Sequence, residues 1–196
     1  MDAKTAKILE ASYKPQREAE SSLSELGYKY DPQLSSMDTK VFYDPATNEP
    51  HIAYRGSVRA SDWLDNLNLG LGGKSYQKEE AIQTAKKVKE KYGKAPTTYG
   101  HSRGGYFSEV AAEETGGKSI TYNKATLPKD VFKKIGSNQT DIRTKYDIVS
   151  LPSYFQSATK KITLNTPFTL DVIKSHSIKT GKTASVAKNG SKWKFA

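Results

Sequence analysis

The run Thr98-Tyr99-Gly100-His101-Ser102-Arg103-Gly104-Gly105 constrains this chain more than any other stretch. An extended segment, Pro96 to Tyr99, precedes the serine, and an apolar pattern at helical spacing (Tyr106, Phe107, Val110, Ala111) follows it. Together they read as a strand that turns sharply into a helix, with Ser102 held at the bend. Gly100 and Gly104 suit so tight a turn, because side chains there would collide across it. The serine itself is expected in a strained conformation that projects its hydroxyl.

A serine hydroxyl is a weak nucleophile until a base takes its proton. The chain has three histidines. His101 is next to the serine but leaves the turn in another direction. His51 lies upstream, at the start of an expected strand. On a strand–elbow–helix of this kind the partners follow in the order serine, acid, histidine, which leaves His176 as the base, expected in a loop. The acid that orients it must lie between the two. Asp130, Asp141, Asp147 and Asp171 qualify by position, whereas Glu109, Glu113 and Glu114 ride the helix leaving the elbow. Asp147 is preferred, since it follows a strand-like stretch (Asp141 to Tyr146) and precedes a turn marked by Pro152. Asp141 is second.

The oxyanion of an acyl-transfer intermediate needs backbone donors. The Arg103 N–H, directly after the serine, is one. The second is expected from Ser57, where the segment Ile52-Ala53-Tyr54 ends in Arg55-Gly56-Ser57. Between these motifs, Val58 to Leu71 carries Trp63, Leu64, Leu67, Leu69 and Leu71, an apolar set suited either to covering an acyl pocket or to core packing. Gly70-Leu71-Gly72-Gly73 lacks the lysine and hydroxyl residue of a phosphate loop at the required spacing, and reads as a flexible loop. No cluster has metal-ligand spacing and no cofactor fingerprint occurs, so neither a metal nor a cofactor is expected.

The ordered set Tyr54-Arg55-Gly56-Ser57, Asp62-Trp63-Leu64-Asp65-Asn66-Leu67, Gly100-His101-Ser102-Arg103-Gly104-Gly105, Asp147-Ile148-Val149-Ser150 and His176 resembles the class 3 lipases, a branch of the α/β-hydrolases. The likeness runs over roughly residues 40 to 178. It implies a compact α/β-hydrolase sheet with flanking helices, and hydrolysis of triacylglycerol or phospholipid esters. Ser102, Asp147 and His176 would form the triad, Ser57 and Arg103 the oxyanion hole, with Trp63 and Arg103 at the substrate. Arg103 stands where these lipases usually carry leucine. A long cation at that point suits a phospholipid phosphate, unless it pairs with a carboxylate such as Glu109 or Asp62. The short, lysine-rich, cysteine-free chain is also similar to lipase-like proteins encoded by some DNA viruses. A silent hydrolase fold serving as a structural or virion component, or a polyanion-binding protein, are the competing readings.

At 196 residues one domain is expected, over residues 1–196, long enough to bury a core. The absence of cysteine removes disulfides and thiolate chemistry. The N-terminus lacks the apolar run of a signal peptide, and nothing in the sequence is long and apolar enough to span a bilayer, which fits a cytoplasmic or virion-associated protein. The net charge of +10 is concentrated late: residues 172–196 carry six lysines and no acid, ending Lys192-Trp193-Lys194-Phe195. Such a segment suits peripheral contact with an anionic membrane surface, with nucleic acid ranked behind it.

Helical spacing marks Ala3 to Tyr13, Arg17 to Leu26 with Gly27 as its stop, and Gln77 to Tyr92, where Ala81, Ile82, Ala85, Val88 and Tyr92 share a face. Lys40 to Tyr43 and Ile52 to Tyr54 read as strands paired through the turn Asp44 to Asn48; Ser119 to Tyr122 and Lys161 to Leu164 read as later strands, with a short helix at Lys129 to Ile135. This alternation predicts a sheet covered by helices on its faces.

Overall fold

Strands and helices alternate along the chain as that pattern requires. The computed structural model describes residues 1–57, 75–136, 138–157, 160–167, 171–183 and 185–187. Helices α1 (Ala3–Ala11) and α2 (Gln16–Ser24) come first. Strands β1 (Lys29–Tyr30), β2 (Thr39–Asp44) and β3 (Glu49–Tyr54) follow, then α3 (Ser75–Tyr92) and β4 (Thr97–His101). Next are α4 (Arg103–Thr115), β5 (Lys118–Tyr122), β6 (Gln139–Thr144) and β7 (Lys160–Asn165). Two short helices, α5 (Val172–His176) and α6 (Ile178–Thr183), and strand β8 (Ser185–Ala187) complete the described elements.

The eight strands form one sheet in sequence order. Strands β3 to β7 are parallel neighbours, while β1–β2, β2–β3 and β7–β8 pair antiparallel. Parallel strands must be joined by crossovers, so helices cover both faces. The pleat sorts the side chains. Phe42, Ala53, Tyr99 and Ile142 point to the face packed by Ile8, Leu9 and Leu23 of α1 and α2. Val41, Ile52 and Tyr54 point to the other, against Ala81, Ile82, Ala85 and Val88 of α3 and Val110 and Ala111 of α4.

Local chemistry sets the ends of these elements. Asp2 caps α1, its carboxylate accepting the Thr5 N–H at 2.8 Å. The turn after α2 uses Gly27 at φ 84°, a left-handed conformation that glycine adopts without strain. The expected helix from Lys129 to Ile135 is reduced to one 3₁₀ turn, Pro128–Asp130. Beyond it the backbone leaves helical pairing, and Lys134 bridges to Ser157 instead.

His51 of β3 is buried in an aromatic nest, stacked on Phe42 with ring centroids 5.3 Å apart and edge-on to Tyr28 at 4.9 Å. Burial, aided by the charge of Lys4, lowers its pKa from 6.5 to about 4. The unfolded chain therefore binds the extra proton between those values and the folded chain does not, so stability rises with pH through this window and is lost as the pH falls from 6.5 towards 4. That loss amounts to about 3 kcal/mol at 1.36 kcal/mol per unit. His51→Phe should reduce the slope of this part of the profile, read from urea midpoints at pH 7 and pH 4.5. An unchanged slope would show that another group titrates.

Candidate active site

Ser102 lies between the last residue of β4 and the first of α4, with φ 56° and ψ −126°. A non-glycine residue rarely adopts a positive φ, and here neighbouring backbone holds it in place. Its carbonyl accepts the N–H of Gly105 at 2.9 Å and of Ala125 at 3.1 Å, and its own N–H donates to the Tyr122 carbonyl at 3.2 Å. A Cβ on Gly104 would run into the Tyr54 carbonyl of β3, so only glycine lets α4 start this close to the sheet. Ser102 is buried, and α4 begins at Arg103 with its first N–H groups lacking intrahelical partners.

His176 is the last residue of α5 rather than a loop residue, and it is 4% exposed. Its Nδ1 lies 3.0 Å from Oδ1 of Asp147. Asp147 follows β6 and is also buried; its other oxygen accepts the Ser150 N–H at 2.9 Å. Burial alone would raise the Asp147 carboxyl, but the hydrogen bond and charge of His176, with the Ser150 donors, hold it below the usual carboxylate range. An ionised carboxylate only accepts, so Nδ1 carries a ring proton, and it is Nε2 that holds the lone pair whenever the imidazole is neutral. That Nε2 is buried and has no hydrogen-bond partner among the described residues.

The carboxylates of two other candidate acids, Asp141 and Asp171, are engaged elsewhere. Asp141 points into the sheet face beneath α4, where Lys124 and Thr121 bind it. Asp171 caps α5 by accepting the Lys174 N–H at 2.9 Å. Asp130 ends the 3₁₀ turn, where its backbone carbonyl, not its carboxylate, accepts from Gln156. Gly56 packs against the elbow, since a Cβ there would meet the Tyr13 hydroxyl, the His101 carbonyl and the Ser102 Cβ; Ser57 is the next residue. The Arg103 guanidinium donates to Gln77 at 3.1 Å and lies 5.7 Å from the Phe107 ring centroid. Of its expected carboxylate partners, Glu109 is taken by Lys124. Asp62, Trp63 and the apolar segment Val58 to Leu71 lie outside the described residues, as do Trp193 and Phe195.

Three residues that motif reading passed over hold this arrangement together. His101 turns from the serine and places Nε2 2.8 Å from the His176 carbonyl and Nδ1 2.7 Å from the Tyr13 hydroxyl. A carbonyl only accepts, so Nε2 bears the proton and Tyr13 donates to Nδ1. Burial, then the neighbouring His176, lower the His101 pKa to about 3, which keeps the bridge neutral. The Tyr13 hydroxyl also lies close against the Gly56 backbone. Asn123, at φ 44°, donates to the carbonyls of Ser175 and His176 and accepts the Thr144 N–H. Tyr13→Phe should leave His101 Nδ1 buried and unpaired, and so cost about 1–3 kcal/mol in chemical denaturation. A loss below 0.5 kcal/mol (roughly the effect of a neutral surface change) would mean water replaces the hydroxyl.

Among the described residues no helix is long and apolar enough to cross a membrane, and no group of His, Cys, Asp and Glu could hold a metal ion.

Over 85 residues the chain is 32% identical to the extracellular phospholipase A1 of Serratia liquefaciens, covering 43% of this chain and 27% of that protein. The chain thus spans little more than a quarter of that relative's length. The solved Lip2 lipase of Yarrowia lipolytica superposes with a TM-score of 0.56 at 13% identity, covering 88% of this chain and 90% of that one. A fungal lipase solved with an inhibitor gives a TM-score of 0.52 at 12% identity, covering 84% and 77%. At such identities the likeness is one of fold, and the fold is that of the α/β-hydrolases. Residues 6–154 match the Tle-like phospholipase domain, and the chain belongs to that family.

Proposed function

We propose that this protein is a serine carboxylic-ester hydrolase of phospholipase type. The observation that carries the reading is the buried His176, with Nδ1 held by Asp147 and a bare Nε2, in a chain whose serine occupies a strained strand–helix elbow. Ser102 Oγ attacks the ester carbonyl while His176 Nε2 takes its proton. The backbone N–H groups of Arg103 and Ser57 receive the oxyanion. As the intermediate collapses, His176 returns the proton to the departing alcohol and leaves an acyl-Ser102. Water then attacks that ester with His176 again as base, releasing the fatty acid and the serine. Asp147 stays ionised throughout and stabilises the imidazolium.

Family membership and the named phospholipase relative favour a phospholipid over a neutral lipid. Two cationic positions flank the elbow, Arg103 on the side of α3 and Arg55 on the side of α1. Peripheral contact with anionic membrane through the basic segment 172–196 belongs to the same reading. Of its lysines, Lys182 is paired with Glu10 of α1 at 2.7 Å, so its charge is partly spent within the protein.

A fluorophosphonate probe tests the reading directly, because it reacts only with a serine activated by a base. Labelling of the intact chain that disappears in Ser102→Ala supports it. An unlabelled intact chain, or labelling that survives the substitution, overturns it.

A further inference from the structure

A pocket of about 460 Å³ opens beside the elbow, between the end of α1 and the segment leading into β2, with Tyr13, Lys14, Lys40 and Arg55 in its lining. Of its eight described lining residues three are cations and none is a carboxylate. Lys40 is 1% exposed and donates to the carbonyls of Ser36 and Met37 at 2.8 and 2.7 Å, both neutral acceptors. Lys14 donates to the neutral hydroxyl of Ser22 at 2.7 Å. Among the described residues Arg55 pairs with the Asp38 carboxylate, 3.8 Å from a terminal nitrogen and 58% exposed, and its Nε is buried without a partner. A wall of like charges facing one half-screened carboxylate is short of an anion.

The position of this wall matters. Tyr13 belongs both to the pocket and to the hydrogen-bonded bridge that reaches His101 and His176. Arg55 directly precedes Gly56, which packs on the Ser102 Cβ, and Ser57, the proposed oxyanion donor. The backbone from Arg55 to Ser57 spans at most about 7 Å. A glycerophospholipid places only its three-carbon backbone between a scissile ester and its phosphate, which matches that reach. Arginine offers a fork for two phosphate oxygens, and lysine a compact charge for a third.

We propose that the Lys14–Lys40–Arg55 pocket seats the phosphate of the lipid substrate while its ester lies at Ser102. The assignment rests on the ester-hydrolase reading above, and it moves head-group recognition from Arg103 to the opposite side of the elbow. The burial of Lys40 beside the Arg55 charge, which lowers the lysine's pKa, describes the same unmet positive field.

The test compares short-chain phosphatidylcholine with diacylglycerol of the same acyl length, in the wild type, Lys14→Gln/Arg55→Gln and Arg103→Leu. The ratio of kcat/KM for the two substrates is read within each protein, so that general losses cancel. Titrations with sn-glycerol 3-phosphate and inorganic phosphate accompany it. The proposal expects the ratio to fall by about tenfold or more in the double variant, chiefly through KM, as loss of charge-assisted phosphate contacts implies. Binding of glycerol 3-phosphate should weaken in parallel. If the double variant does not fold, Lys14→Gln alone carries the same expectation, since Lys14 lines the pocket and is only half-buried. An unchanged ratio in the double variant, or a fall confined to Arg103→Leu, overturns the assignment. Equal binding of both phosphates with an unchanged ratio marks a free-anion site and overturns the lipid assignment. Should the wild type hydrolyse neither lipid yet bind glycerol 3-phosphate through Lys14 and Arg55, the hydrolase reading fails and the anion pocket stands.

Discussion

Ser102→Ala is expected to lower turnover of a short-chain ester by at least about 10³-fold, and His176→Ala by a similar factor, because groups that act as one unit lose most of their effect when either is removed. The double variant should be little worse than either single one, for the same reason. Asp147→Asn should cost less than Ser102→Ala, provided the amide still orients the ring. The asparagine has an oxygen that can accept from Nδ1, but it lacks the charge that stabilises the imidazolium. Steady-state hydrolysis of a chromogenic butyrate measures all four. Near-normal activity in His176→Ala would remove His176 as the base. A double variant whose loss is the product of the two single losses would show that serine and histidine act independently.

How much of this was legible in the sequence depended on whether the signal was local. The elbow at Ser102, the helix at α3 and the paired strands β2 and β3 carry their patterns within a dozen residues, and each appears in the structure with ends shifted by no more than three. The two-residue β1 and the short β8 are too brief to show any alternation. The expected helix after Pro128 was too long, because its polar residues fit a helix as well as they fit a strap. Asp141 and Asp147 both qualify by chain order; what separates them is where β6 ends. Asp141 sits within β6 and is turned towards Lys124, whereas Asp147 lies past the end of the strand, beside His176. Tyr13 and His101 are 88 residues apart, and the Tyr13 hydroxyl leaves no trace in the pattern that marks α1. The same holds for Asn123, which joins the ends of β5, β6 and α5 through a side chain that reads only as a polar residue after a strand. Side chains that act across long sequence separations are specified by the topology, not by their neighbours in the chain.

Lys124→Met is expected to be the most destabilising single change in the sheet beneath the elbow. The ammonium lies 2.5 Å from Glu109 and 3.0 Å from Asp141, which also accepts the Thr121 hydroxyl at 2.6 Å. All three charged side chains are buried, at 1%, 2% and 6% exposure. Methionine keeps the volume and removes the cation, leaving two carboxylates facing each other away from water. Breaking a buried pair in this way costs about 3–5 kcal/mol. Burial already lifts the Glu109 carboxyl above the usual range against the pull of Lys124, so loss of the cation lifts it further. A carboxyl whose folded pKa exceeds its unfolded value favours the folded state when protonated, and its penalty grows as the pH rises. The deficit of the variant, read from urea denaturation, should therefore be smaller near pH 5 than near pH 8. Adding Glu109→Gln and Asp141→Asn should recover most of it, since amides and a methionine leave no uncompensated charge. The Lys124 side chain also packs against Gly105, and the next N–H, of Ala125, holds the Ser102 carbonyl. The single variant should thus lose ester turnover before it unfolds, and the triple variant should regain it. A deficit that does not vary with pH would place the loss in packing rather than in charge.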